Sequence, residues 1–251
     1  MKLSATILAA TTMAVSISRS SAQDLYLIIG QSNAAGRDED IDTSGADSLT
    51  RDVKYLTDRD SFLRARQPLN RYSNIGRGDQ GVNFGLEFGK EMHDDNNRLQ
   101  YLVVNARGGT RVAEWRKGHG SRYYEDSAER VEAAMDECNC RLTGVLWHQG
   151  ESNVSTQNGS FPSSYLSSLE AIIEDIRGDF GDVPFIVGQL FDNGTNDDFN
   201  AELTTVTDRG FLDDVDWVSS QGLTTFDGTH FDADSTRELG RRYAQVMQRY
   251  V

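Results

Sequence analysis

Short apolar runs alternate with amphipathic segments along this chain, and that alternation limits the fold more than any other feature. The apolar runs cover residues 25–29, 101–104, 145–147 and 184–187, with a weaker fifth run at 215–218. Continuous apolar runs of this length are typical of strands that are buried on both faces of a parallel sheet. The segments between them carry apolar residues at helical spacing, most clearly over 165–176. The pattern predicts a doubly wound α/β fold, with a mainly parallel, five-stranded sheet between helices.

The amino terminus has the composition of a secretory signal peptide. Lys2 supplies a positive start, residues 3–17 form a mostly apolar run, and small residues end at Ala22. This layout predicts cleavage after Ala22 and a secreted or periplasmic protein. The run is too short and too rich in Ser and Thr to cross a bilayer comfortably, so we expect no stable membrane insertion. The remainder, residues 23–251, has the length of a single domain.

The charge balance restricts the classes of partner. The formal net charge of the chain is −14. Such a surface repels nucleic acid and anionic membranes, so we expect no nucleic-acid partner. The charge suits a neutral substrate, although it also has the simpler explanation that it confers solubility.

The two cysteines, Cys138 and Cys140, are separated by one residue. They lack the additional ligands of a zinc site and do not form a C-x-x-C redox motif. Two interpretations stay open: a small disulfide in an oxidising compartment, or two free thiols at a helix end. Neither of them gives these cysteines a chemical role.

Residues 37–81 form a long segment with no clear periodicity and a strongly polar composition. Loops of this length without secondary structure are uncommon in compact domains and are usually functional. The sequence therefore predicts that this segment lies over the site or shapes the substrate cleft.

Polar, glycine-containing segments follow several of the predicted strands. They cover residues 30–33, 105–110, 148–153 and 227–230. In an open parallel sheet, ligands bind beyond the carboxyl ends of the strands, so we expect these segments to meet at one edge. Each segment alone has an ordinary explanation as a turn or a helix cap. Their occurrence in order along the chain is what indicates a site.

The residue types in these segments fit acyl transfer. Ser32 can act as a nucleophile if a base accepts its proton, and His230 is the best candidate for that base. Asp227, three residues earlier, can turn back and orient the imidazole. A tetrahedral oxyanion needs preorganised N–H donors, and the candidates are the amide of Ser32, a glycine amide from Gly108-Gly109 and the side-chain amide of Gln149.

Glu151 lies two residues beyond Gln149 and has three candidate roles. It could compete with Asp227 in orienting His230, accept backbone N–H bonds that fix its loop, or remain a solvated acid. We adopt the hypothesis that Glu151 and Asp227 share the orientation of His230, so that loss of either leaves partial activity.

Taken together, the segments resemble the sequence blocks of the SGNH hydrolase superfamily. Within it they are most similar to the carbohydrate esterases that include acetylxylan esterases and sialate O-acetylesterase-like proteins. Residues 30–33 resemble the nucleophile block, and 108–110 with Trp115 resemble the glycine block. Residues 147–152 resemble the third block, with glutamine in place of asparagine, and 227–230 resemble the last block. The resemblance covers nearly all of residues 24–251. It implies a flavodoxin-like fold and a Ser32, Asp227 and His230 triad. It also implies an oxyanion hole from Ser32, Gly108 and Gln149, and no metal or cofactor.

The expected function is therefore hydrolysis of O-acetyl esters on polysaccharide or glycan. One alternative is a GDSL-like lipase or thioesterase, which would want an apolar groove beside Ser32. Another is a non-catalytic carbohydrate-binding protein on the same fold, which would not need the catalytic residue set. The sugar, the acetyl position and the oligomeric state stay open.

Overall fold

A computed structural model describes residues 22–76, 80–154, 161–208 and 210–251. Apart from Ala22, the predicted signal peptide lies outside the described residues. The strands are β1 (Gln23–Gly30), β2 (Val53–Leu56), β3 (Phe62–Arg64), β4 (Gln100–Val104), β5 (Cys140–His148), β6 (Phe185–Gly188) and β7 (Val215–Val218). The helices are α1 (Ser32–Ala35), α2 (Gly85–Asn96), α3 (Tyr123–Cys138), α4 (Glu151–Val154), α5 (Tyr165–Phe180), α6 (Asp197–Leu203) and α7 (Ala233–Met247). Short 3₁₀ helices cover Leu69–Tyr72, Val112–Trp115 and Thr204–Thr207.

The described strands form one sheet in the order β3-β2-β4-β1-β5-β6-β7. All neighbouring pairs are parallel except β2 and β3, which are antiparallel. The predicted α/β class with a mainly parallel sheet is therefore confirmed. The predicted strands correspond to β4-β1-β5-β6-β7, which is the flavodoxin-like order. The predicted strand count was wrong, since the sheet has seven strands rather than five.

The two additional strands lie within residues 37–81, the segment predicted as a loop. β2 is four residues long and β3 is three, and β3 is exposed along most of its length. Strands this short carry little apolar periodicity, and β3 lies exposed at the edge of the sheet, so their sequence resembles that of a loop. The ring of Phe62 packs edge-on against Tyr101 of β4, with the ring centroids 4.8 Å apart. β2 pairs with β4, and this ring contact adds to the attachment of the hairpin to the sheet.

Alternate residues of the central strand supply two separate cores. Leu25, Leu27 and Ile29 belong to the core that also contains the apolar faces of α3, α5 and α6. Tyr26 and Ile28 belong to the core with α2 and α7. Because both faces of the sheet are covered by helices, the inner strands read as unbroken apolar runs. Because helices pack on both faces, polar functional side chains can lie only at the edges of the sheet and at the ends of its strands.

Two further sequence expectations concern the thiols and the membrane. Cys138 and Cys140 form a disulfide between the end of α3 and the start of β5, which selects one of the two open interpretations. Within the described ranges, no helix combines the length and apolar character that crossing a membrane would require.

Candidate active site

The nucleophile turn is built by a close approach of two strands. Gly30 ends β1 beside His148 of β5, with a φ of +130°. A Cβ at this position would lie only 2.1 Å from the carbonyl oxygen of His148, so glycine is required there. The next amide, from Gln31, donates to that same carbonyl at 2.9 Å. Ser32 then begins α1 between the ends of β1 and β5, where the strand order of the sheet reverses.

Ser32, His230 and Asp227 form one chain of hydrogen bonds. The distance from His230 Nε2 to Ser32 Oγ is 2.9 Å, and from His230 Nδ1 to Asp227 Oδ2 it is 2.6 Å. The other carboxylate oxygen of Asp227 accepts the backbone amides of Thr229 at 2.9 Å and His230 at 2.7 Å. The three predicted residues are thus brought together with the contacts of a Ser-His-Asp triad.

Asp227 is held in its ionised form by its surroundings. Partial burial raises its pKa. Hydrogen bonds from the backbone and ring of His230 and from the Thr229 amide outweigh that effect, so the pKa lies below its ordinary value. An ionised carboxylate beside Nδ1 fixes the imidazole tautomer that leaves Nε2 free to accept a proton from Ser32.

Gln149 lies beneath this triad and is completely buried. Its Nε2 donates to Asn153 Oδ1 at 2.8 Å, to the Thr110 carbonyl at 2.9 Å and to Gln31 Oε1 at 3.1 Å. An amide NH₂ group has two hydrogens, so these acceptors already compete for them. The arrangement favours a role in holding three loops together, and the oxyanion role of Gln149 stays a prediction.

The glycine segment after β4 lies against the nucleophile turn. The amide of Arg107 donates to the Gly30 carbonyl at 3.0 Å, which ties the two segments together. Gly109, with a φ of +76°, lines the cavity beside Ser32, and Gly108 precedes it. The Gly108 amide as an oxyanion donor stays a prediction that this placement makes reasonable.

Asn33 is a site residue to which sequence reasoning gave no role, although it lies within the nucleophile block. Its Nδ2 donates to Glu151 Oε1 at 2.5 Å and to the Thr229 carbonyl at 3.2 Å. Its Oδ1 accepts the Phe231 amide at 3.1 Å. Asn33 therefore joins the nucleophile helix to the loop that carries His230, and Glu151 fixes the orientation of the Asn33 amide.

Glu151 is almost buried, with 9% of its side chain exposed, so it is not the solvated acid considered above. Burial raises the pKa of its carboxyl group. The neighbouring His148, whose Nε2 is 3.7 Å from Glu151 Oε1, has its pKa lowered by burial to about 3 and stays neutral. Both ring nitrogens of His230 already contact Ser32 and Asp227, which leaves none for a direct bond from Glu151.

A cavity of about 620 Å³ opens at Ser32 and His230. Asn193, Thr195 and Asn196, from the loop after β6, contribute to its lining. Sequence reasoning missed this loop, although its amide and hydroxyl groups follow a strand at the same edge of the sheet. Across the described residues, no group of three or more His, Cys, Asp or Glu side chains could hold a metal ion. The cavity is thus equipped for hydrogen bonding around a serine nucleophile.

Comparison with known proteins identifies the family. Residues 22–249 match the sequence model of the family described as carbohydrate esterase, sialic acid-specific acetylesterase. The chain belongs to this family. It is thus a carbohydrate esterase in the general sense, and the resemblance to SGNH-type carbohydrate esterases read from its blocks is confirmed.

Individual relatives of this carbohydrate esterase agree with that assignment. A probable carbohydrate esterase of Arabidopsis thaliana is 27% identical over 249 residues, covering 88% of this chain and 89% of the relative. A crystal structure of an Arabidopsis thaliana protein superimposes with a TM-score of 0.78 at 24% identity, over 92% of this chain and all of the other. The crystal structure of NanS superimposes with a TM-score of 0.71 at 15% identity, over 92% of this chain and 98% of NanS. A carbohydrate acetylesterase from Xanthomonas citri superimposes with a TM-score of 0.61 at 18% identity, over 90% of this chain and 56% of the other. At these identities, the structural comparisons establish the fold.

Proposed function

We propose that this carbohydrate esterase removes O-acetyl groups from carbohydrate through an acyl-enzyme cycle. The observation that carries the proposal is the hydrogen-bonded chain from Ser32 Oγ through His230 to Asp227. Ser32 Oγ attacks the acetyl carbonyl while His230 Nε2 accepts its proton and then passes it to the departing sugar hydroxyl. Water, activated by the same imidazole, then hydrolyses acetyl-Ser32 and releases acetate.

The tetrahedral intermediates need donors for their oxyanion. We assign this role to the backbone amides of Ser32 and Gly108. Ser32 is the first residue of α1, and amides in the first turn of a helix have no partner within that helix. Removing a single oxyanion donor typically costs about 10²–10³ in kcat, so these amides would supply a large share of the rate.

The cavity lining supports carbohydrate over the two alternatives. Asn193, Thr195 and Asn196 offer amide and hydroxyl groups, which match sugar hydroxyls better than the fatty chain of a lipase substrate. A non-catalytic binding protein would not need a serine hydrogen-bonded to a histidine that is itself hydrogen-bonded to a carboxylate. We therefore favour a short acyl group attached to a hydroxyl-rich leaving group.

The function is tested by measuring acetate release from acetylated xylan and from O-acetylated sialic acid, beside the hydrolysis of short- and long-chain p-nitrophenyl esters. We expect acetate from at least one carbohydrate and a strong preference for the acetyl ester. Preferential cleavage of long-chain esters would indicate a lipase or thioesterase. No turnover of any ester would support the non-catalytic alternative.

Ser32→Ala is the variant that ties this activity to the site. We expect acetate release to fall by about 10⁶, the usual cost of removing the nucleophile of a serine hydrolase, with the fold intact. Ser167→Ala, on the exposed surface of α5, serves as the matched control and should keep full activity. Circular dichroism and thermal unfolding verify that both variants fold. More than a few per cent of residual activity in pure Ser32→Ala protein would remove Ser32 from the mechanism.

A further inference from the structure

Phe226 is an exposed aromatic residue on the loop that carries the triad acid and base. Of its surface, 52% is exposed, and it is the one aromatic among the large exposed hydrophobic residues of the described chain. Its amide donates to the His230 carbonyl at 3.1 Å, and an isolated β-bridge joins Thr225 to Phe231. These contacts fix the backbone of Phe226 beside the site, while about half of the residue stays open to solvent.

The orientation of this ring relates it directly to the reacting centre. The Phe226 ring lies nearly parallel to the His230 imidazole, with an interplanar angle of 24° and a centroid distance of 6.0 Å. The imidazole in turn lies 2.9 Å from Ser32 Oγ. The cavity at Ser32 is lined by Gly228, Thr229 and His230 of the same loop. A carbohydrate that extends from Ser32 across His230 would meet the Phe226 ring.

An exposed aromatic face is suited to a sugar ring. Burying apolar area stabilises a complex, so covering this ring with a ligand would be favourable. The π face of phenylalanine carries partial negative charge, and the C–H groups on one face of a pyranose carry partial positive charge. Such stacking leaves the equatorial hydroxyls free for polar groups, which this cavity offers on Asn193, Thr195 and Asn196.

We propose that Phe226 is a specificity-determining residue that stacks on a sugar ring of the acetylated carbohydrate. The inference rests on the proposed function and deepens it by assigning a contact for the leaving-group side of the substrate. A purely structural alternative is that Phe226 shields the His230 imidazole from water. The two roles differ in what they predict, since shielding affects every ester and stacking affects only those that carry a sugar.

The test compares Phe226→Ala and Phe226→Trp on two substrates. One is the carbohydrate, acetylated xylooligosaccharide or O-acetylated sialoside, on which the wild-type protein is more active. The other is ethyl acetate, which has neither a sugar nor an aromatic leaving group that could itself stack. For Phe226→Ala we expect KM for the carbohydrate to rise about fivefold to tenfold, with kcat within twofold of wild type. Ethyl acetate hydrolysis and its pH profile should be unchanged, and Phe226→Trp should keep a KM close to that of wild type.

Leu63→Ala is the matched control, because Leu63 is 49% exposed on the edge strand β3 and should affect neither substrate. An unchanged carbohydrate KM in Phe226→Ala overturns the inference while wild-type acetate release upholds the proposed function. An equal loss on both substrates, with a shifted pH profile, overturns it in favour of shielding. If the wild-type protein releases acetate from no carbohydrate, the proposed function fails and the inference fails with it.

Discussion

At the scale of single residues, the carboxylates around His230 have unequal positions. Asp227 contacts the His230 ring and also accepts two backbone amides of the same turn, whereas Glu151 reaches that loop through Asn33. The hypothesis that both acids share the orientation of His230 would need a free ring nitrogen, and Ser32 occupies the second one. The geometry therefore favours Asp227 as the orienting residue and Glu151 as a positioning residue that acts through Asn33.

We expect Asp227→Asn to lower kcat by about 10⁴, the cost of losing the orienting acid in serine proteases. Glu151→Gln should cost less than tenfold, because a glutamine oxygen can still accept the hydrogen bond from Asn33. The measurement is a cycle of the two single variants and the double variant, read as transition-state free energies. The hypothesis that both acids orient His230 would be restored if Asp227→Asn kept more than a tenth of wild-type kcat and Glu151→Gln lost an equal share.

Gln149→Ala separates a structural role from an oxyanion role. Losing the amide removes a buried donor from the Thr110 carbonyl and leaves a cavity, and an unsatisfied buried group costs about 1–3 kcal/mol. Asn153 Oδ1 and Gln31 Oε1 keep the backbone amides of Val112 and Ser152 as donors. We expect the free energy of unfolding, measured by urea denaturation, to fall by about 2–4 kcal/mol, with kcat of the folded protein reduced less than tenfold. A kcat reduced by about 10²–10³ at unchanged stability would instead identify Gln149 as an oxyanion donor.

The residue-scale features that could be predicted are those set by local spacing. Asp227 and His230 lie three residues apart, so one turn suffices to join them, and the sequence displays that relation directly. Asn33, by contrast, bonds residues that are 118 and 196 positions away. Only the folded chain brings those partners together, which is why its role could not be read from the sequence.

At the scale of elements, α2 and α7 pack closely enough to require a glycine. A Cβ on Gly240 of α7 would lie 2.3 Å from the Phe84 carbonyl oxygen and 3.0 Å from the Phe88 amide nitrogen. Both contacts are with backbone, which cannot move aside as a flexible side chain would. The approach of the two helices therefore depends on this position.

We expect Gly240→Ala to lower the free energy of unfolding by about 1–3 kcal/mol or more, the usual cost of overpacking. Gly178→Ala on α5 is the control, because a Cβ there meets nothing within 4 Å, and alanine should add about 0.5–1 kcal/mol through helix propensity. Urea denaturation of both variants measures the difference. Equal effects of the two substitutions would mean that α2 and α7 can separate without cost.

Strands can be predicted from this sequence where they form continuous apolar runs. The strands β1, β4, β5 and β6 are predictable because helices cover both of their faces, which enforces continuous apolar runs. β7 lies at the opposite edge from β3, and its weaker run is interrupted by Asp216. β2 and β3 are only four and three residues long, and β3, at the edge of the sheet, is partly or fully exposed throughout. Their pairing depends on contacts such as Phe62 against Tyr101, which no local pattern reveals.

At the scale of the whole molecule, the site gathers segments from both ends of the chain. Ser32 lies near the start of the described residues and His230 near their end, 198 positions apart, at the point where the strand order reverses. Four polar segments in order after successive strands made this convergence predictable, because parallel strands place their carboxyl ends at one edge. The cavity wall from residues 193–196 follows β6 at the same edge, but its amides and hydroxyls form no catalytic pattern, so the sequence alone does not mark it as part of the site.

The predicted signal peptide, residues 1–22, bears on the maturation of the entire chain. We propose that the protein is exported and cleaved after Ala22. β1 begins at Gln23, and Asp24 is held by Arg98 at 2.8 Å, so cleavage at that bond leaves every described strand intact. The disulfide between Cys138 and Cys140 agrees with an oxidising compartment.

In a bacterial host with a general secretory pathway, we expect protein in the periplasm or medium whose mass corresponds to a chain starting at Gln23. Its kcat should equal that of a chain produced directly as residues 23–251. Leu8→Arg, which places a charge in the apolar run, should keep the uncleaved chain in the cells. Wild-type protein that stays inside the cells with Met1 attached would contradict export.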